Sequence, residues 1–326
     1  MFPEPLDLIL DREGIRHEYR RFCEHRKQHP REYPAVQDFT GALWLVCVII
    51  GARLLFNRLL NKPVQHLLER RKLPAHRQEV YKLLEEIWVT LGGMVLMIWA
   101  IYVASNGLGK CSLWNRFPCL HGWPYLPAPA ILKMYYNVEL AWYLHLLPKY
   151  RLGYGERDSI DMKAHHAATI SLILGSYAVY IHLIGVLVLC IFNLSNPLLH
   201  LSKIARQLHM RGARAVVFVA FAVVFFVSRV VILPLTIMRY VAYDYQESMP
   251  HAREDFPWYI LAFNVGLVTL YILNLIWMKS IISILLHARS SGFQQAGHMA
   301  HRHDPTARAN VQPELLKIGD VAVKNE

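Results

Sequence analysis

The run AVVFVAFAVVFFVSRVVILPL fills residues 215–235, and ILAFNVGLVTLYILNLIWMKSIISILL fills residues 260–286. Stretches this long and this apolar exceed what a soluble core helix needs and match the ~20 residues required to cross the hydrocarbon of a bilayer. The whole composition agrees: 54% of the chain is hydrophobic and 18% charged, below the ~25% charge of ordinary soluble chains. Working outward, apolar blocks predict spans at residues 39–57, 86–105, 129–148, 164–181, 182–202, 215–243 and 258–287. The expected fold is therefore all-α, a polytopic membrane helix bundle of about seven transmembrane spans. A polar segment, 1–38, precedes the membrane domain of 39–287. The tail from 288 to 326 lacks apolar periodicity and is expected to be disordered. No secretory signal peptide is expected, because the first forty residues are polar and charged.

The formal net charge of +11 is spread over short loops rather than gathered on one soluble face, so topology explains it better than nucleic-acid binding does. Residues 58–85 and 203–214 carry many Lys and Arg and are expected in the cytosol. The loop from Ser105 to Pro127 holds only Lys110 and Arg116, and the loop with Glu247, Glu254 and Asp255 is acidic, so both belong on the far side. This alternation puts the C-terminus in the cytosol and the N-terminus in the lumen. Arg20, Arg21, Arg26 and Lys27 disagree, and an interfacial segment near Leu6 to Leu10 would change their side. The five cysteines show no CxxC or Cys/His metal spacing. Cys111 and Cys119 share the far-side loop and are candidates to pair there. His298, His301 and His303 read as part of a solvated tail rather than a metal site.

Ionisable groups inside a membrane default to function, and one region is rich in them. Asp158 is followed by His165-His166 and Thr169 at the start of the fourth span, and Asn193, Asn196, His200 and Lys203 follow along the fifth. Adjacent histidines on a helix point about 100° apart. Spacings of i, i+3 and i+7 place Asn193, Asn196 and His200 on one face of a continuous helix. The short turn near Tyr180 makes the fourth and fifth spans antiparallel neighbours, so that face is expected to meet the histidines. The structural alternative is that these groups hydrogen-bond across helices only to hold the bundle.

The series Asp158, His165-His166, a long apolar run and a polar cluster ending in Lys203 resembles the signature motif of ceramide synthases, members of the TLC domain superfamily. The resemblance extends to Gly122-Trp123-Pro124, Leu132-Lys133 with Tyr135-Tyr136, Trp142-Tyr143-Leu144-His145, and Ser228-Arg229 with Pro234. It implies a multi-pass protein of the endoplasmic reticulum membrane that moves a fatty acyl group from acyl-CoA to the amine of a sphingoid base. It also implies His165, His166 and Asp158 as catalytic residues, with Thr169, Tyr136, Trp142 and Arg229 in support. Fatty acyl-CoA serves as co-substrate, no other cofactor or metal is implied, and the expected partners are the sphingoid base, membrane lipid and a homo- or hetero-oligomer. A neutral imidazole suits the task, since an attacking amine must lose a proton and the tetrahedral oxyanion needs a donor. A histidine carrying the acyl group in a covalent intermediate is equally open.

The chain departs from that motif at three positions. Where the family has a His-Asp pair and a second Asp on the fifth span, this sequence has Phe192, Asn193 and Asn196. Two function classes follow: an N-acyltransferase in which Asp158, Asp161, Glu139 or His200 replaces the missing carboxylates, or a non-catalytic protein that binds, senses or transfers lipid or partners an active synthase. On the first reading, Asn193→Asp and Asn196→Asp together are expected to raise activity.

Overall fold

The computed structural model describes residues 13–249 and 258–303. Among these residues every regular element is helical. A basic helix, α1 (Glu13–Gln28), leads into α2 (Thr40–Arg70), α3 (Arg77–Asn106), α4 (Ala130–Leu146) and α5 (Ile160–Ala178). Then come α6 (His182–Asn193) and α7 (Asn196–Gln207), followed by α8 (Arg211–Phe225), which continues through wide π-type turns over Phe226–Ile232, Pro234–Met238 and Tyr240–Asp244 into α9 (Tyr245–Ser248). The last helix, α10, is Trp258–His303.

All seven predicted blocks are thus helical. By length and composition, five helices among the described residues can cross a membrane: Val36–Arg70, Arg77–Asn106, His182–Gln207, Gly212–Ser248 and Tyr259–Ala288. The blocks at α4 and α5 are shorter and more polar and fall outside that group. The last helix does not stop with its apolar run near residue 287 but continues to His303. The segment Leu6 to Leu10, Glu254, Asp255 and residues 304–326 lie outside the described residues.

Every residue of α6 from His182 to Asn193 is buried, as befits a helix that is apolar on all sides. It forms the central strut, and α5 runs antiparallel beside it as expected: Gly185 meets Ser176 near one end, and Phe192 stacks on His165 near the other. The turn between them needs a positive φ at Tyr180. The hydrogen-bond ladder of the fifth predicted span, His182–Gln207, is interrupted at Leu194–Ser195, where the backbone stays right-handed helical and Pro197 has no N–H to give to the preceding turn.

The two ends of the bundle differ. At one end the loop after α3 is closed by a Cys111–Cys119 disulfide with Cα atoms 4.8 Å apart. Trp123 of that loop donates to Val179 O and stacks on Tyr259. The leading helix docks there as well, with Phe22 edge-on to Tyr33, Tyr125 and Tyr180. The basic N-terminal segment therefore lies with the loop that the charge count sets opposite the basic loops. At the other end Arg71 donates to Leu208 O, joining the two basic loops, and Arg53 ties Leu84 O to Tyr154 O of the α4–α5 connection.

Candidate functional site

The histidine pair sits on the second turn of α5, whose start is capped by Ser159 through the Met162 N–H. Both rings are buried, at 7% and 6% exposure, and they diverge as adjacent helix positions must. The His165 ring lies between Phe192, stacked at 6.0 Å, and Trp277 of α10, edge-on at 5.2 Å. Trp277 is held by its indole N–H, which donates to Asp161 at 2.7 Å. The His166 ring turns the other way, toward Tyr143 of α4 at 5.9 Å and toward Asp158, whose Oδ2 is 3.8 Å from Nε2. The Nδ1 atoms of both rings, Thr169 Oγ1 and Ser195 Oγ are buried without a hydrogen-bond partner. A narrow, mostly apolar gap of about 20 Å³ begins at Thr169 and Phe192 and runs between α5, α6 and α10 as far as Ser176 and Gly185.

Asp158 is fixed from behind. Its Oδ1 is 2.7 Å from Lys149 Nζ, and Lys149 is 3.0 Å from Glu85 Oε1. Lys149 lies in the connection after α4, where burial pushes its ammonium down, but Glu85 and Asp158 more than reverse this and raise it above the ordinary lysine value.

The polar side chains of α6 and α7 meet different neighbours. Asn193 points to α4, where its Nδ2 donates to Glu139 Oε1 at 2.5 Å and to Tyr135 OH at 3.2 Å. Asn196 accepts from Arg229 Nη2 at 2.5 Å. That arginine also donates to Phe192 O at 2.6 Å and lies over the rings of Phe192 and Phe225 at 4.6 and 5.0 Å. His200 and Lys203 face α3 instead, at 2.6 and 3.1 Å from the carboxylate of Glu86.

The structure therefore gathers His165, His166, Asp158, Thr169, Phe192, Asn196 and Arg229 at one end of the bundle. Asn193 borders this group through Glu139, while His200 and Lys203 form a separate cluster. Two of the supporting residues lie apart: Tyr136 bonds Ser176 and His182 O in the other half of the bundle, and Trp142 stacks on Trp88 beside His145. Sequence reasoning passed over Glu85, Glu86, Lys149 and Trp277. The adjacent acids opening the α3 block were a usable signal, since charge beside an apolar run requires a partner. Lys149 and Trp277 gave none.

Residues 82–283, more than half of the chain, match the TLC domain family. The chain belongs to the TLC-domain family. Its relatives include ceramide synthases. Ceramide synthase 5 of Homo sapiens is 32% identical over 180 residues, covering 55% of this chain and 44% of that protein. Ceramide synthase 4 of Bos taurus is 31% identical over 173 residues, covering 53% and 43%. Ceramide synthase 4 of Homo sapiens is 25% identical over 309 residues, covering 80% of this TLC-domain chain and 77% of the relative. Against the first two, the matched part spans less than half of the relative's length.

Proposed function

We propose that this protein is a ceramide synthase-like N-acyltransferase that transfers a fatty acyl group from acyl-CoA to the amine of a sphingoid base. The observation that carries the reading is the buried His165–His166 pair with Asp158 at 3.8 Å from His166 Nε2 and an unpartnered Nδ1 on each ring. A carboxylate beside Nε2 favours the tautomer with its proton there, which leaves the Nδ1 lone pair free to take a proton, and it stabilises the imidazolium that results. As the amine nitrogen bonds to the thioester carbon, its proton passes to His166; the C–S bond breaks, and the proton passes on to the departing thiolate. On this reading His165, one turn before Thr169 at the mouth of that gap, donates to the oxyanion or carries the acyl group in a two-step transfer. The protein spans the endoplasmic reticulum membrane seven times, with α4 and α5 completing the set. The His165–His166 end faces the cytosol, where CoA is found, and the disulfide end faces the lumen, where thiols oxidise.

One observation favours a second reading. Phe192 stands where the family has a histidine, covers the His165 ring and is itself covered by Arg229. An apolar ring in that place suits a protein that binds, senses or transfers lipid, or one that partners an active synthase. Purified protein in liposomes, given labelled sphingoid base and a panel of acyl-CoAs, separates the two. Ceramide that forms with the wild type and is lost in both His165→Ala and His166→Ala supports acyl transfer. No product from folded protein across the panel supports lipid binding or partnership.

A further inference from the structure

Glu85 and Lys149 touch neither histidine, yet their ion network ends at His166. We propose that Lys149 is a positioning residue, which holds Asp158 by one carboxylate oxygen so that the other stays turned toward His166. The inference rests on the acyl-transfer reading for its consequence, but the geometry stands by itself. Lys149 reaches Asp158 Oδ1 at 2.7 Å and Glu85 Oε1 at 3.0 Å, and Asp158 Oδ2 is the oxygen left facing Nε2. The three side chains are 14% or 15% exposed, so solvent screens the pairs weakly.

The connection between α4 and α5 is built around this triplet. Glu85 Oε2 accepts the Glu156 N–H at 2.9 Å. Gly155 lets the chain close in, since a Cβ there would lie 2.9 Å from both Glu85 Oε1 and Lys149 Cδ. Tyr154 donates to His145 O and accepts from Arg53 at its backbone carbonyl, which fixes the loop that carries Lys149 and Asp158. A loop tied this firmly determines where Asp158 stands. His166 is faced by Asp158 and Lys149 from this connection, by Tyr143 and His145 from α4 and by His165 on its own helix. Among these, Asp158 and Lys149 form the ion pair.

The test is a coupling measurement on full-length protein in nanodiscs, with ¹³C-labelled histidine and the His166 resonance assigned by its loss in His166→Gln. With Lys149 present, Asp158→Asn is expected to shift the His166 ring carbons away from the Nε2–H tautomer, because a carboxylate beside Nε2 favours the proton there. In a Lys149→Met background the same Asp158→Asn change is expected to move those carbons by much less, and Lys149→Arg is expected to restore the full effect. An equal Asp158→Asn shift in both backgrounds overturns the proposal. Should Lys149→Met fail to fold, Glu85→Gln releases the other side of the clamp and is expected to weaken the same coupling, and an undiminished coupling there counts against the proposal equally. Acyl transfer measured on the same samples separates the two readings. Coupling without ceramide formation leaves the positioning role standing and removes the enzyme, whereas ceramide formation without coupling does the reverse.

Discussion

Placing acids at Asn193 and Asn196 looks like one experiment in the sequence and is two opposite ones in the structure. Asn193 gives its amide N–H to Glu139 at 2.5 Å, so Asn193→Asp sets an acceptor against an acceptor. With both groups ionised, two like charges about 4 Å apart repel by about 4 kcal/mol at an effective dielectric of 20. Asn196 instead accepts from Arg229, so Asn196→Asp turns a neutral acceptor into a charged one. Charge-assisted bonds are roughly twice as strong as neutral ones, a gain of about 1 kcal/mol from which the desolvation of the new carboxylate subtracts. Thermal unfolding in detergent, followed by tryptophan fluorescence at pH 7.5, should therefore show Asn193→Asp several degrees below wild type and Asn196→Asp level with it or above. Acyl transfer should follow stability, with Asn196→Asp the more active variant. If Asn193→Asp proves at least as stable as Asn196→Asp at pH 7.5, the assignment of Glu139 and Arg229 as the opposed neighbours is wrong.

Three further outcomes are expected. A Cβ on Gly92 would overlap the Trp142 ring at Cη2, so Gly92→Ala should cost about 1–3 kcal/mol of stability by overpacking and disturb the Trp88–Trp142 stack, and an unchanged melting curve would contradict this contact. The Cys111–Cys119 bond closes a short loop, so reduction or Cys111→Ser should cost roughly 2–3 kcal/mol on the chain-entropy account, with alkylation of the native protein under denaturing, non-reducing conditions expected to spare both cysteines. A glycosylation acceptor inserted after Gly109 should be modified in microsomes and one in the C-terminal tail should not, and the reverse pattern would invert the proposed orientation.

The fold was legible because apolar length and loop charge are local properties of the chain: all seven blocks became helices, and the two basic loops met at one end. What was not legible was the neighbour of each side chain. The i, i+3, i+7 spacing of Asn193, Asn196 and His200 groups them along one span, His182–Gln207, but does not say what stands opposite. The three find three different elements, Glu139 on α4, Arg229 beyond α8 and Glu86 on α3. Nor was the end of α10 legible, since the helix outlasts the apolar run that announced it.

Partner identity is where sequence reasoning stops, and it changes the meaning of Phe192, Asn193 and Asn196. Read along α6 and α7 alone, they bring no acid to the site. Across the bundle, carboxylates reach these helices from other elements: Glu139 from α4 against Asn193, Glu86 from α3 against His200 and Lys203, and Asp158 from the α4–α5 connection against His166. Of these, Glu139 and Glu86 already accept from neutral or cationic neighbours that hold them away from the histidine rings. Asp158 has one oxygen taken by Lys149 and the other turned to Nε2. A proton accepted by His166 therefore finds its compensating charge in the connection before α5 and not on the fifth span, whereas the imidazole of His165, enclosed by Phe192 and Trp277, has no carboxylate paired with it among the described residues. The two adjacent histidines are thus chemically unequal. On the acyl-transfer reading, proton transfer falls to His166, the ring with a carboxylate beside it, and His165 is left to donate to the oxyanion or to carry the acyl group.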